Sequence, residues 1–128
     1  MAAVRMLLDT LAEGRYRDAA GRLTEDAEWH NTERFPGPTV CRGREEIVAF
    51  WEQLFEAYVE VGPATDLVRL EHADGVVAAE LHAASTGRSS GVPLEVRWAH
   101  VYRVRDGLVS RVETYGRYES ALKAAGLG

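Results

Sequence analysis

The sequence has a single cysteine, Cys41, among its 128 residues. No disulfide can therefore close within one chain, and stability has to come from packing. Cys41 also has no partner at metal-ligand spacing, because no Cys or His pair recurs at the short intervals that structural zinc sites use. The expectation is a buried or half-buried thiol, with no metal and no cofactor. A basic run is missing too. Fifteen Lys and Arg stand against twenty Asp and Glu, for a formal charge of −5, with both signs scattered along the chain. Nothing forms the positive stripe that neutralising a phosphate backbone requires, so nucleic acid is not an expected partner. Nor does any stretch approach the roughly 18 to 20 apolar residues that span a bilayer, so no membrane association is expected. The opening MAAVRMLLDTLAEG lacks the unbroken apolar segment and cleavage site of a secretory signal, since Asp9 and Glu13 interrupt it. It reads as an amphipathic helix of a cytoplasmic protein.

What is present suits one globular domain over residues 1–128, with 46% of the chain hydrophobic. Val4, Leu7, Leu8 and Leu11 recur at helical spacing up to Gly14, and Tyr16, Ala19, Ala20 and Leu23 repeat the pattern in a second short helix. Residues 27–31 form a brief aromatic strand, and Pro36, Gly37, Pro38 and Gly43 then break the chain into a loop. From Arg44 a long helix carries Ile47, Trp51, Leu54, Phe55 and Tyr58 on one stripe. Glu45 and Glu46 lie in its first turn, where the helix dipole favours acids, and Gly62-Pro63 ends it. Strands follow at 65–73, 76–86, 94–105 and 108–117, with Asp74-Gly75 and Asp106-Gly107 as two-residue hairpin turns. A last short helix from Tyr118 stops at Gly126. Helices followed by hairpins predict an α+β fold, in which a strongly curved antiparallel sheet wraps around three N-terminal helices to form a cone with an internal pocket.

Strand alternation singles out the candidate chemistry. Val96, Trp98, His100, Tyr102 and Val104 share one face of the 94–105 strand, and Glu95, Arg97, Ala99, Val101, Arg103 and Arg105 the other. An imidazole in that apolar, aromatic row is kept neutral by desolvation, the state a general base needs, so His100 is the leading catalytic candidate. If the Asp106-Gly107 turn carries no bulge, Glu113 stands opposite His100 and Tyr115 opposite Trp98, and Glu113 would orient the imidazole. In the other register the apolar set is Leu108, Val112 and Thr114, and a single bulge would turn that set inward instead. On the first strand the Trp29 side is the more apolar, which points Asn31 inward as a polar group for a carbonyl oxygen or a water. His82 is expected outside and His72 near a hairpin tip.

Two stretches carry a likeness to a known group: WHNTERFPGPTVCRGREEIVAFW at 29–51 and GRSSGVPLEVRWAHVYRVRDGLVSRVETYGRYESALKAAGL at 87–127. With the opening helices they resemble the SnoaL-like and ketosteroid isomerase-like proteins of the nuclear transport factor 2-like, or cystatin-like cone, superfamily over nearly the whole chain. In ketosteroid isomerases of that group a carboxylate base, a tyrosine and a protonated aspartate do the work. The resemblance places Asn31, Leu7 and His100 at those positions, which argues against steroid isomerisation. Limonene epoxide hydrolases are similar at Trp29-His30-Asn31, but the resemblance puts Trp98, His100 and Thr114 where their arginine and two aspartates stand. Arg117 occupies a position where many relatives carry an aspartate. The resemblance also implies a homodimer joined sheet to sheet, with Ala79, Leu81, Ala99 and Val101 as contact positions.

Two functions follow as expectations. The first is a cofactor-free enzyme of isomerase, cyclase or hydrolase type, moving a proton on a small apolar substrate with His100 as base and Asn31 as orienter. Trp29, Trp51, Phe55, Trp98 and Tyr102 would line the pocket, with Thr114 or Tyr115 beside them according to the last strand's register. The second is a non-catalytic ligand-binding or interaction module of the same fold.

Overall fold

The protein was analysed as a computed structural model, which describes residues 2–31, 39–58, 64–86 and 93–128, without the side chains of 54–58, 64–66, 83–86 and 93–96. Helix α1 spans Ala2–Ala12 and α2 Tyr16–Ala20. Strand β1 (Leu23–His30) and the short β2 (Val40–Arg42) lead into α3, Gly43–Tyr58. Then come β3 (Ala64–Ala73), β4 (Val76–Thr86), β5 (Pro93–Arg105), β6 (Leu108–Tyr115) and α4, Tyr118–Ala125. None of the described helices is long and apolar enough to cross a membrane.

All six strands join one curved sheet in the order β2-β1-β6-β5-β4-β3. The β1–β6 contact is parallel and the other four are antiparallel. The expected α+β class holds, with two corrections to the sheet. Leu23, read as the end of a helix, opens β1, where burial on the core side outweighs the helical spacing. The expected loop also contains β2, which pairs Cys41 with Trp29. Pro36, Gly37, Pro38, Gly62 and Pro63 lie outside the described residues.

Local chemistry explains where the long helix starts. Gly43 has φ +83°, a turn that a side chain would strain. The Glu46 carboxylate accepts from the backbone N–H of Arg42 at 3.1 Å, and Arg44 donates Nη2 and Nε to the Leu23 carbonyl at 2.6 and 3.1 Å. The R-G-R-E start thus ties α3 to the first residue of β1. At the other end of the chain Gly126, at φ +74°, closes α4 in the left-handed conformation that suits glycine.

The two faces of the sheet carry separate apolar clusters. Val4, Leu7, Trp29, Ile47, Trp51 and Tyr102 belong to the larger one, beneath α1 to α3. Ala78, Ala99 and Val101 pack with Tyr118 and Ala121 on the opposite face, so α4 covers that side. This corrects the expected dimer positions. Ala79 pairs with His100 and Leu81 with Trp98, which puts both on the helix-packed face, because directly paired residues share a face. Ala99 and Val101 are already covered by α4 within the chain.

Candidate functional site

The geometry of the site begins with one extra residue in β6. Arg105 pairs with Leu108 and Val104 with Val109, but Arg103 pairs with Arg111, leaving Ser110 as a β-bulge. The Ser110 hydroxyl donates to the Arg103 carbonyl at 3.1 Å, so the bulge keeps that acceptor satisfied. Past the bulge the side-chain alternation of β6 is inverted. Val109, Val112 and Thr114 are all buried, and Thr114 stands opposite His100.

Glu113 is therefore not the partner of His100. It stands opposite Val101, with its carboxylate 3.4 Å from Arg103 Nη2 and 3.4 Å from Arg111 Nη2. Tyr115 pairs with Ala99 and packs beside the α4 cluster, on the face away from the imidazole. The register decides both corrections: an unbulged strand would have buried a carboxylate on the apolar side, at a cost that the two arginines on the other face remove.

His100 itself lies where alternation placed it, 6% exposed. The Trp29 ring packs edge-on against it at 5.3 Å between centroids, Tyr102 at 5.3 Å and Trp98 at 6.1 Å. Trp29 in turn meets Trp51 edge-on at 5.6 Å and Phe50 at 6.2 Å. The sequence reading missed Phe50, which is 4% exposed; its place one residue before Trp51, off the chosen stripe, concealed it. The Phe55 side chain lies outside the described residues. His72 is exposed beside the β3–β4 turn, and His82 is half-buried rather than exposed.

Hydrogen bonds fix the state of the imidazole. Trp98 Nε1 donates to Nε2 of His100 at 3.1 Å, and Nδ1 lies 2.7 Å from the Tyr102 hydroxyl oxygen. An indole N–H can only donate, so Nε2 carries the lone pair and Nδ1 the proton. Nδ1–H then donates to Tyr102 Oη. Burial removes the charged form's hydration and pulls the His100 pKa down from 6.5 to about 3. The same desolvation pushes the Tyr102 phenol well above its ordinary value. Both side chains are neutral at physiological pH.

Asn31 follows β1 and is half-buried. Its Oδ1 accepts from Trp29 Nε1 at 3.1 Å, which fixes the plane of the amide and marks its NH2 as the donor end. Trp51 Nε1, whose ring packs against Trp29, and Thr114 Oγ1, opposite His100, are buried with no hydrogen-bond partner among the described residues. On the same face of β4, Leu81 helps line a pocket of about 90 Å³ with Arg5, Leu8, Asp9 and Ala12 of α1 and Leu67 of β3. No group of three or more His, Cys, Asp and Glu side chains converges among the described residues.

A family model described as SnoaL-like domain matches residues 4–112. Among solved structures, an NTF2-like protein from Burkholderia thailandensis E264 superposes with a TM-score of 0.79 at 23% identity, covering 96% of this chain and 94% of that one. A hypothetical protein with a ketosteroid isomerase-like fold from Catenulispora acidiphila, in complex with trimethylamine, gives 0.77 at 16% identity over 98% and 93%. TerC co-crystallised with polyporic acid gives 0.78 at 14% over 97% and 95%. At such identities the structural likeness establishes the fold. No curated protein matches the chain.

Proposed function

We propose that this chain, which belongs to the SnoaL-like domain family, encloses a small, largely apolar molecule and acts on it without a cofactor, by proton transfer at His100. The observation that carries the reading is the enclosed imidazole, held in one tautomer by two hydrogen bonds and walled by Trp29, Trp98 and Tyr102. Such a wall suits an apolar ligand, and a single ring nitrogen with a lone pair suits one proton. Solved structures of the same fold that carry trimethylamine or polyporic acid support a small-molecule role.

The chemistry follows from the tautomer. Nε2 is the basic end, and its one partner, Trp98, is only half-buried. Rotation of that indole releases the lone pair to a ligand. Nε2 then takes a proton from the ligand, and His100 becomes an imidazolium whose charge pairs with the anion left behind. Returning the proton to a different atom completes an isomerisation or ring closure; a proton taken from water instead gives hydrolysis. Pairing with the anion offsets the desolvation that otherwise holds the His100 pKa near 3. Asn31, held beside Trp29, orients the ligand. We also propose a homodimer, joined elsewhere than through Ala99 and Val101, which α4 covers; sedimentation equilibrium tests it.

One observation favours a second reading, a binding module without turnover: the same burial makes His100 a weak base and Trp98 occupies its lone pair. Incubating the protein with a panel of small ketones, epoxides and aromatic alcohols separates the two. Turnover that His100→Gln abolishes supports the enzyme. Binding with unchanged ligand across the panel, indifferent to that substitution, leaves the module.

A further inference from the structure

Strand β3 carries a bulge of its own. Leu70 pairs with Ala79 and Arg69 with Glu80, so unbroken alternation would set Val68 opposite Leu81 on the helix-packed face. Instead Leu67 pairs with Leu81, and Val68 is left over as the extra residue, 43% exposed. Turning a valine out to water forgoes its burial, and bulges of this kind are common where a strand re-aims a side chain at a site.

The bulge aims Leu67 at the pocket of about 90 Å³ beneath α1. Leu8, Ala12, Leu67 and Leu81 give it apolar walls, and Arg5 and Asp9 stand exposed on its α1 side. Residues 5, 8, 9 and 12 follow one helical stripe. Arg5 and Asp9 are one turn apart and of opposite charge, yet neither joins an ion pair among the described residues. Base before acid is the weaker order for such a pair along a helix, so both groups stay open to a third partner.

The pocket therefore offers a cation, an anion and an apolar floor. A ligand with a lone carboxylate would meet Arg5 but be repelled by Asp9, and a lone amine the reverse. A zwitterion satisfies both at once. The space is smaller than the roughly 150 Å³ that accommodates benzene, which suits a short aliphatic branch rather than a ring.

We infer that this pocket binds an aliphatic α-amino acid: the Arg5 guanidinium donates to the carboxylate through two N–H groups, Asp9 accepts from the ammonium, and the side chain lies on Leu8, Leu67 and Leu81. The site is separate from the aromatic cluster. Leu81 stands opposite Trp98 across the ladder, and it is Trp98 that touches the imidazole. Amino acid binding needs no proton transfer at His100 and stands or falls apart from it.

Amide chemical shifts of nitrogen-15-labelled protein, followed during titration with L-valine, test this. Binding in the millimolar range should move the amides of Leu8, Ala12, Leu67 and Leu81. Isobutylamine, which lacks the carboxylate, and isovalerate, which lacks the amine, should each bind about fivefold more weakly, the scale of one exposed ion pair. Arg5→Gln should weaken valine by a similar factor and isobutylamine not at all; Asp9→Asn should weaken valine and leave isovalerate no weaker. Both substitutions lie on the exposed flank of α1 and spare its buried residues. If valine moves none of these amides at tens of millimolar, or moves those of Trp98 and His100 instead, the assignment fails. It fails too if either single-charge compound binds as tightly as valine, or if either variant binds valine as wild type does.

Discussion

The Nε1–H of Trp98 lies 3.1 Å from Nε2 of His100, two residues along the same strand and on the same face. That contact decides the tautomer, and through it the direction of the hydrogen bond between Nδ1 and Tyr102. It also makes Trp98 a cap over the basic nitrogen. Its half-exposed position gives it room to move, which the enclosed Trp29 and Trp51 lack.

Removing the cap should expose the nitrogen. In Trp98→Phe the Nε2 lone pair has no donor, so acylation of His100 by diethyl pyrocarbonate at pH 7 should proceed several-fold faster than in wild type. Peptide mass mapping distinguishes His100 from His30, His72 and His82. An unchanged rate at His100 would show that Trp98 does not guard it.

Protonation should couple to stability with a definite sign. The folded-state pKa of His100 lies below its ordinary value, so its contribution is complete above about pH 6.5 and is lost progressively as pH falls toward 3. In that window the unfolded chain binds a proton that the native state refuses, which amounts to up to about 1.4 kcal/mol per pH unit. Urea unfolding at pH 7.5, 5.5 and 4.5 should show wild type losing more stability on acidification than His100→Gln does. Parallel pH profiles would contradict the burial of a neutral imidazole.

The bulge should depend on its serine. Ser110→Ala removes the hydrogen bond to the Arg103 carbonyl and should cost about 1 kcal/mol in chemical denaturation. Deleting Ser110 is a far harsher change, because the unbulged register would turn Glu113 toward His100. That variant should lose several times as much stability or fail to fold.

Thr114→Val should be harmless to the empty protein. It replaces a buried hydroxyl that has no partner among the described residues with a group of the same shape, so the melting temperature should stay level or rise by a few degrees. A clear fall would show that the hydroxyl is bonded in solution.

Period-two patterning in β5 and the two Asp-Gly turns made the hairpins legible, and with them the burial of His100 between Trp98 and Tyr102. The glycines earn their positions: Gly107 at φ +78° follows Asp106 at φ +54°, the pair of left-handed residues a tight hairpin turn needs. The same alternation put Asn31 on the Trp29 side of β1, two strands from β5, and its Oδ1 accepts from Trp29 Nε1. The second helix was overextended by Leu23, because helical spacing and strand burial coincide over so few residues.

What the sequence by itself determined is therefore the α+β class, the hairpin boundaries and the aromatic row around one histidine, all consequences of local periodicity and turn chemistry. What only the tertiary structure decided is which residue faces that histidine. A bulge shifts the register by one position, and periodicity left both registers open; in the fold Val109, Val112 and Thr114 satisfy burial on one side while Glu113 finds Arg103 and Arg111 on the other. The tautomer belongs to the same class of fact: composition supplies an indole, an imidazole and a phenol, but only their arrangement in space says which of them donates.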